Sequence, residues 1–185
     1  MILARLILPS YFLLYLTSCS GPDCSDRRRW DIKTLTDADV ERVNFTPSDT
    51  AMEDLLHQFP HTLITDSTHR VGIEFRTYRI LCRIRKFKKN SDGDLHLLLG
   101  DPGDPSKNMI AEIPDCDCGA AMQSKYAETF RQARADLEDL IEEDHKVQPG
   151  IYEVTGVAFF DAVHGQKGGS ISGIELHPVL AIRKK

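Results

Sequence analysis

The chain has 185 residues, of which 41% are hydrophobic and 28% charged, and its 23 Lys and Arg against 28 Asp and Glu give a formal net charge of -5. That length supports one domain with a real core rather than two, and the composition is that of an ordinary folded globule rather than a disordered or fibrous chain. The negative balance excludes the broad attraction on which non-specific phosphate binding depends, leaving only a local basic patch for such a polymer.

Residues 1–18 read as an export signal. Arg5 carries one positive charge, and Leu6 to Leu16 is nearly all apolar apart from Pro9 and Ser10, too short and interrupted for a membrane span. The stretch ends in Leu16-Thr17-Ser18-Cys19, which resembles the lipobox of bacterial lipoproteins. The resemblance implies cleavage before Cys19 and a lipid on its thiol. The chain is then held at the cell envelope by that lipid alone, facing the periplasm or the exterior, and is secreted if Cys19 is not lipidated. The competing reading is an ordinary secretory signal whose boundary happens to include a cysteine.

Residues 19–30 form a polar tether. Thr50, Glu53, Leu55 and Leu56 then give the pattern of a short capped helix, which Phe59-Pro60 ends. From Arg70 the chain alternates. Val71, Ile73 and Phe75 share one phase and Tyr78, Ile80, Cys82 and Ile84 the other, which predicts a long strand with a bulge or bend. Asn90 to Gly93 is a turn, with Gly93 able to take positive φ. Leu95–Leu99 is a second strand, Asp101–Pro105 another turn, and Asn108–Ile113 a third strand stopped by Pro114. Tyr126, Phe130, Ala133, Leu137, Leu140 and Ile141 recur at helical steps, with Ser124 as a candidate cap. Tyr152–Phe160 and Ile174–Ile182 complete the strands, joined by a glycine-rich loop.

Three strands, a helix and two more strands make the fold class all-β with one intervening helix. This is the order of an oligonucleotide/oligosaccharide-binding (OB) barrel, a five-stranded Greek key; a β-meander packed on a helix is the competing architecture. The barrel is expected over residues 70–185, with residues 31–69 as an amino-terminal extension packed on it.

Five ordered segments, Asp92–Leu97, Met109–Asp115, Gly156–Asp161, His164–Gln166 and Ser172–Val179, resemble a family of small uncharacterised bacterial exported proteins. The likeness runs from roughly Val43 to Ile182. The family includes lipoproteins with an OB-fold that are assigned to nucleic-acid binding. It therefore implies the barrel and, through the fold alone, a nucleic-acid ligand.

Two sets of residues carry candidate chemistry. Asp94 and His96 lie two apart on one strand and share a face, and Glu175 and His177 repeat the arrangement on the last strand. Together with Asp161 and His164 they can bind a zinc-like ion or pair as acid and base; the competing role is locking turns and capping loop amides. The second set is basic: Arg70, Arg76, Arg79, Arg83, Arg85, Lys86, Lys88 and Lys89 crowd the first strand. With His164, Gln166 and Lys167 of the glycine-rich loop, Arg76, Arg79, Arg83, Arg85 and Lys86 form a candidate ligand surface. Cys24, Cys82, Cys116 and Cys118 are an even set that permits two disulfides, with the pairing open. A bridge across one residue, from Cys116 to Cys118, is strained.

No hydrolase motif is present. The expectation is therefore a binding domain for nucleic acid or another anionic polymer, more readily than an enzyme, and without an obligatory cofactor. The alternatives are a metal-dependent hydrolase using a divalent ion at Asp94, His96, Glu175 and His177, or a structural envelope protein binding a glycan or a partner protein.

Overall fold

Alternating side chains make strands with one apolar face, and these strands solve the burial problem by closing on themselves. The computed structural model describes residues 28–142, 146–162 and 169–185. Its strands are β1 (Asn44–Asp49), β2 (Arg76–Lys89), β3 (Leu95–Gly100), β4 (Asn108–Ile113), β5 (Tyr152–Phe160) and β6 (Ile174–Lys184). Its helices are α1 (Trp30–Lys33), α2 (Met52–Leu56), α3 (Gly119–Gln123) and α4 (Ala127–Glu138). β2 pairs antiparallel with β3 and with β5, β3 with β4 and β5 with β6, while β4 and β6 run parallel. The ring β2-β3-β4-β6-β5 is a closed, mixed, five-stranded barrel of the OB type. Ile80, Cys82, Leu97, Met109, Val154 and Leu176 are among the side chains that fill it. Among the described residues, no helix is long and apolar enough to cross a membrane.

Two features depart from the sequence reading. β1 is a sixth strand, parallel to the start of β2. Its residues, Asn-Phe-Thr-Pro-Ser-Asp, lack the apolar alternation of a core strand. It is held by backbone pairing, by the Asp49–Arg79 ion pair and by Phe45, whose ring packs against Tyr126 at 4.6 Å. The second departure concerns Val71, Ile73 and Phe75. They do not belong to the long strand, because Gly72–Phe75 is a 3-10 turn entered through Gly72 at φ 50°. Val71 and Ile73 still pack against Ala158, Phe160 and Ile174, so their apolar spacing marks a turn lying on the barrel. The register of β2 against β3 shifts between Ile84 and Lys86.

The helix stripe divides its work. Ala133 and Leu137 of α4 join the barrel core, while Phe130 faces a second cluster with Trp30, Leu35, Val43, Cys118 and Val157. Leu140 and Ile141 lie beyond the helix end, where Ile141 bridges to Val147. Ser124 Oγ accepts the Tyr126 N–H at 3.2 Å, but α4 has no side-chain cap.

The amino-terminal segment is pinned by two buried ion pairs. Arg29 donates to both oxygens of Glu74, at 2.8 and 2.6 Å, and to the Phe160 carbonyl at 2.9 Å. Arg70 grips Asp37, with its closest contact at 2.7 Å, and donates to the carbonyls of Ile32 and Glu74. Arg70 is thus structural and 5% exposed, not part of a basic surface.

Of the cysteines, Cys118 is disulfide-bonded, whereas Cys82 and Cys116 carry free thiols. Cys82 lies among apolar side chains inside the barrel, and burial pushes its thiol up to about 12. Cys19 and Cys24 lie outside the described residues.

Candidate metal centre

Register brings the polar residues together. His96 of β3 stands directly opposite Glu112 of β4, and the parallel β4–β6 pairing, Ile110 with Glu175 and Ala111 with Leu176, carries Glu112 alongside His177. Met109, Ala111 and Ile113 point into the barrel, so Glu112 points out of it, as do Glu175 and His177 on either side of Leu176. Asp94 enters from the turn before β3. That turn needs Gly93 at φ 88°, where a Cβ would lie 2.0 Å from an Asp115 carboxylate oxygen. Asp94 Oδ1 accepts the Asp115 N–H at 2.7 Å, and Arg134 of α4 donates to the carbonyls of Gly93 and Pro114. The turn is therefore fastened to the helix that plugs the barrel.

The resulting cluster is compact and buried. His96 Nδ1 lies 2.6 Å from Glu112 Oε1; His177 Nδ1 lies 3.3 Å from Glu112 Oε2 and 3.2 Å from Glu175 Oε1. His177 Nε2 lies 3.8 Å from Asp94 Oδ2. One ligating atom each from Asp94, Glu112 and His177 fall within 4.8 Å of one another. His177 is 0% exposed, Asp94 1%, Glu175 2% and Glu112 6%. Phe159 packs its ring against His177 at 5.6 Å. Lys33 of α1 lies over the same ring at 5.2 Å and 4.0 Å from Asp161 Oδ1.

This environment drives the two glutamates apart. Burial, and then the charge of Glu112, push Glu175 well above the usual carboxylate range. Burial would also raise Glu112, but the hydrogen bond with His96 and the charges of His177 and Lys33 outweigh it and hold the group at about 2. Burial would lower Lys33, yet Glu175, Asp161, Glu112 and Asp94 together hold it above the ordinary lysine value. The two carboxyl groups are thus shifted in opposite directions, the kind of separation that distinguishes acid from base in buried carboxylate pairs.

The sign of each shift gives opposite stability profiles. Glu175 has a raised folded value, so its stabilising contribution is full below an unfolded value of about 4.5 and is lost as pH rises through the folded value. Glu112 has a lowered value; its contribution is present above about 4.5 and lost as pH falls towards 2. With a chelator present, Glu175→Gln is expected to melt higher than the wild type near pH 8 and to lose that advantage near pH 4. Glu112→Gln is expected to melt lower near pH 7. Circular-dichroism melts check both, and a lower midpoint for Glu175→Gln near pH 8 contradicts the assignment.

All four of the residues singled out in the Asp94, His96, Glu175 and His177 set meet here, and Asp161 adjoins them. Glu112 and Lys33 are the members that sequence reasoning missed. The apolar alternation of β4 isolates Glu112 as an outward carboxylate, a usable signal; nothing local marks Lys33. His164, Gln166 and Lys167 lie outside the described residues.

The basic set is less coherent. Arg79 is bound through two contacts to Asp49, and Arg85 donates to the Pro105 carbonyl at 2.8 Å while lying against Gly100. Arg76, Arg83 and Lys86 remain exposed. A cleft of about 620 Å³ beside Arg79 is walled by Asp49, Asp101 and Glu153 as well as Lys185, so it does not concentrate positive field. The Asp115-Cys116-Asp117 run also brings three ligating atoms close. It is a tight turn in which Asp115 Oδ1 accepts the Asp117 N–H at 3.3 Å, and burial raises the Cys116 thiol.

OB barrels bind ligands on the outer face of their second and third strands and on the loops beside it, here β3 and β4 with the turn before β3 and the segment after β5. In this chain that face carries the His and carboxylate cluster. No family model, no curated protein and no solved structure matches the chain.

Proposed function

We propose that the barrel is a divalent-metal-binding domain in which Asp94, Glu112 and His177 are the protein ligands. The observation that carries this reading is the convergence of one imidazole and two carboxylates within 4.8 Å on a buried face. Carboxylates that stay charged when buried are paired with cations or coordinate metals, and this donor set suits Zn²⁺ or Mn²⁺ better than a soft thiolate-seeking ion or a calcium ion that demands six or more oxygens. His96 on Glu112 and Glu175 on His177 Nδ1 orient the ligands through their outer atoms. A bound ion supplies Lewis-acid chemistry and lowers the pKa of any water it holds, which is the basis of the hydrolase alternative.

Elemental analysis of protein made without a histidine tag tests the reading. About one equivalent of zinc or manganese is expected in the wild type, and loss of it in His177→Ala and in Asp94→Asn. His96→Gln, which alters only a supporting contact, is expected to weaken affinity about 10–100-fold. A wild type that takes up neither metal overturns the proposal.

A second reading is supported by the exposed Arg76, Arg83 and Lys86, which with Lys88 and Lys89 line β2: an anionic polymer, nucleic acid among them, bound on a surface separate from the metal centre. The envelope location and the lipid on Cys19 rest on Leu16-Thr17-Ser18-Cys19 and belong to the same proposal of an exported binding domain.

A further inference from the structure

Lys33 is out of character with the rest of the centre. It comes from a four-residue helix outside the barrel, yet its side chain is only 13% exposed and its ammonium sits 4.0 Å from Asp161, above Phe159. The charges that act on it come from Glu175, Asp161, Glu112 and Asp94, and so from the strand and turn elements that build the centre. α1 is not free to drift away. Arg29, one residue before it, is locked to Glu74 and the Phe160 carbonyl, and Arg70 grips both the Ile32 carbonyl and Asp37 just beyond it. Two buried ion pairs therefore hold the segment that places this lysine at Asp161, beside the centre.

We propose that the Lys33 ammonium is the resident counter-charge of the centre, and that a divalent cation binds in exchange for it. The inference rests on the metal reading above and specifies what sets its affinity. An incoming ion meets a positive charge of like sign held at Asp161, beside the carboxylates it needs and within reach of their charges, and in a buried site that repulsion is weakly screened. Binding therefore requires the Lys33 side chain to leave the acids, which its flexible four-carbon stem permits without moving the pinned backbone. The exchange keeps a positive charge beside the buried carboxylates whether or not an ion is present. It also makes the centre selective for cations that compete with an ammonium, so doubly charged ions are favoured over sodium or potassium.

The test is a set of calorimetric titrations of Zn²⁺ and Mn²⁺ into the full-length protein, as wild type, Lys33→Met, Lys33→Gln and Lys33→Arg. Met keeps the stem that packs on Phe159 and removes the charge; Gln does the same with a polar head, in case Met disturbs folding. Both neutral variants are expected to bind metal about tenfold or more tightly than the wild type. Arg is expected to stay within about threefold of it, because it keeps the charge. Melting supplies a second readout. Without metal the neutral variants should melt below the wild type, and saturating metal should close or reverse the gap, since stabilisation by a ligand grows with the logarithm of its concentration over Kd. A role in packing alone predicts that affinity does not follow charge. Uptake at equal affinity in all four proteins, or weaker binding in the neutral variants, overturns the exchange and leaves the metal centre standing. No uptake by any of the four overturns the metal centre and the exchange with it.

Discussion

Glu74→Ala is expected to destabilise the fold by about 3–5 kcal/mol, the usual cost of breaking a buried ion pair by removing one partner. Glu74 is 0% exposed. Its carboxylate accepts from Arg29 at 2.8 and 2.6 Å, from the Val71 N–H at 2.8 Å and from the Phe160 N–H at 2.8 Å. Ala removes all four acceptor contacts, leaving a guanidinium that is 4% exposed without its counter-charge and depriving two backbone donors. In a domain of this size the loss corresponds to roughly 6–20 °C in the melting midpoint. Asp49→Ala breaks an exposed pair with Arg79 and is expected to leave the midpoint unchanged. Thermal melts of the two variants side by side make the comparison. If Glu74→Ala melts within about 2 °C of the wild type, the Arg29–Glu74 pair does not hold the amino-terminal segment.

Phe130→Ala is expected to be about as damaging, at roughly 3–5 kcal/mol, but in a different part of the molecule. Phe130 is 0% exposed and packs with Trp30, Leu35, Val43, Cys118 and Val157. Its removal opens a cavity between α4 and the segment that carries α1, while Ala133 and Leu137 continue to seal the barrel. Denaturant melts should therefore show the loss, and limited proteolysis should show faster cleavage near residues 30–43. Leu140→Ala, at a partly buried position past the end of α4, is the milder control. Equal stability of Phe130→Ala and the wild type contradicts the packing.

Much of the barrel was legible because its signals are local. The alternation through Ile80, Cys82 and Ile84 marks β2, the Asn90–Gly93 turn needs the positive φ that Gly93 adopts, and the three- and four-residue steps from Phe130 to Leu137 mark α4. A period of two or of 3.6 reports which face of an element is apolar without reference to any partner. The same logic misplaced the strand start, since the apolar spacing of Val71, Ile73 and Phe75 fits a 3-10 turn lying on the barrel as well as it fits a strand. It passed over β1, whose one large apolar side chain, Phe45, gives no alternating pattern and which is otherwise held by backbone pairing and an exposed ion pair.

What the sequence by itself determined is the kind of element at most positions, the order that allows five strands to close, and the common face of Glu175 and His177; Asp94, expected on the strand with His96, lies in the turn before it and meets His177 instead. Only the tertiary structure decided which polar groups meet. His96 and Glu112 are sixteen residues apart in sequence and opposite each other by strand register; His177 joins them through a parallel pairing that forms only when the barrel closes. Lys33 reaches the same face because Arg29 and Arg70, which look like surface cations in the sequence, are buried against Glu74 and Asp37. Periodicity is a property of neighbours along the chain, whereas charge pairing is a property of neighbours in space.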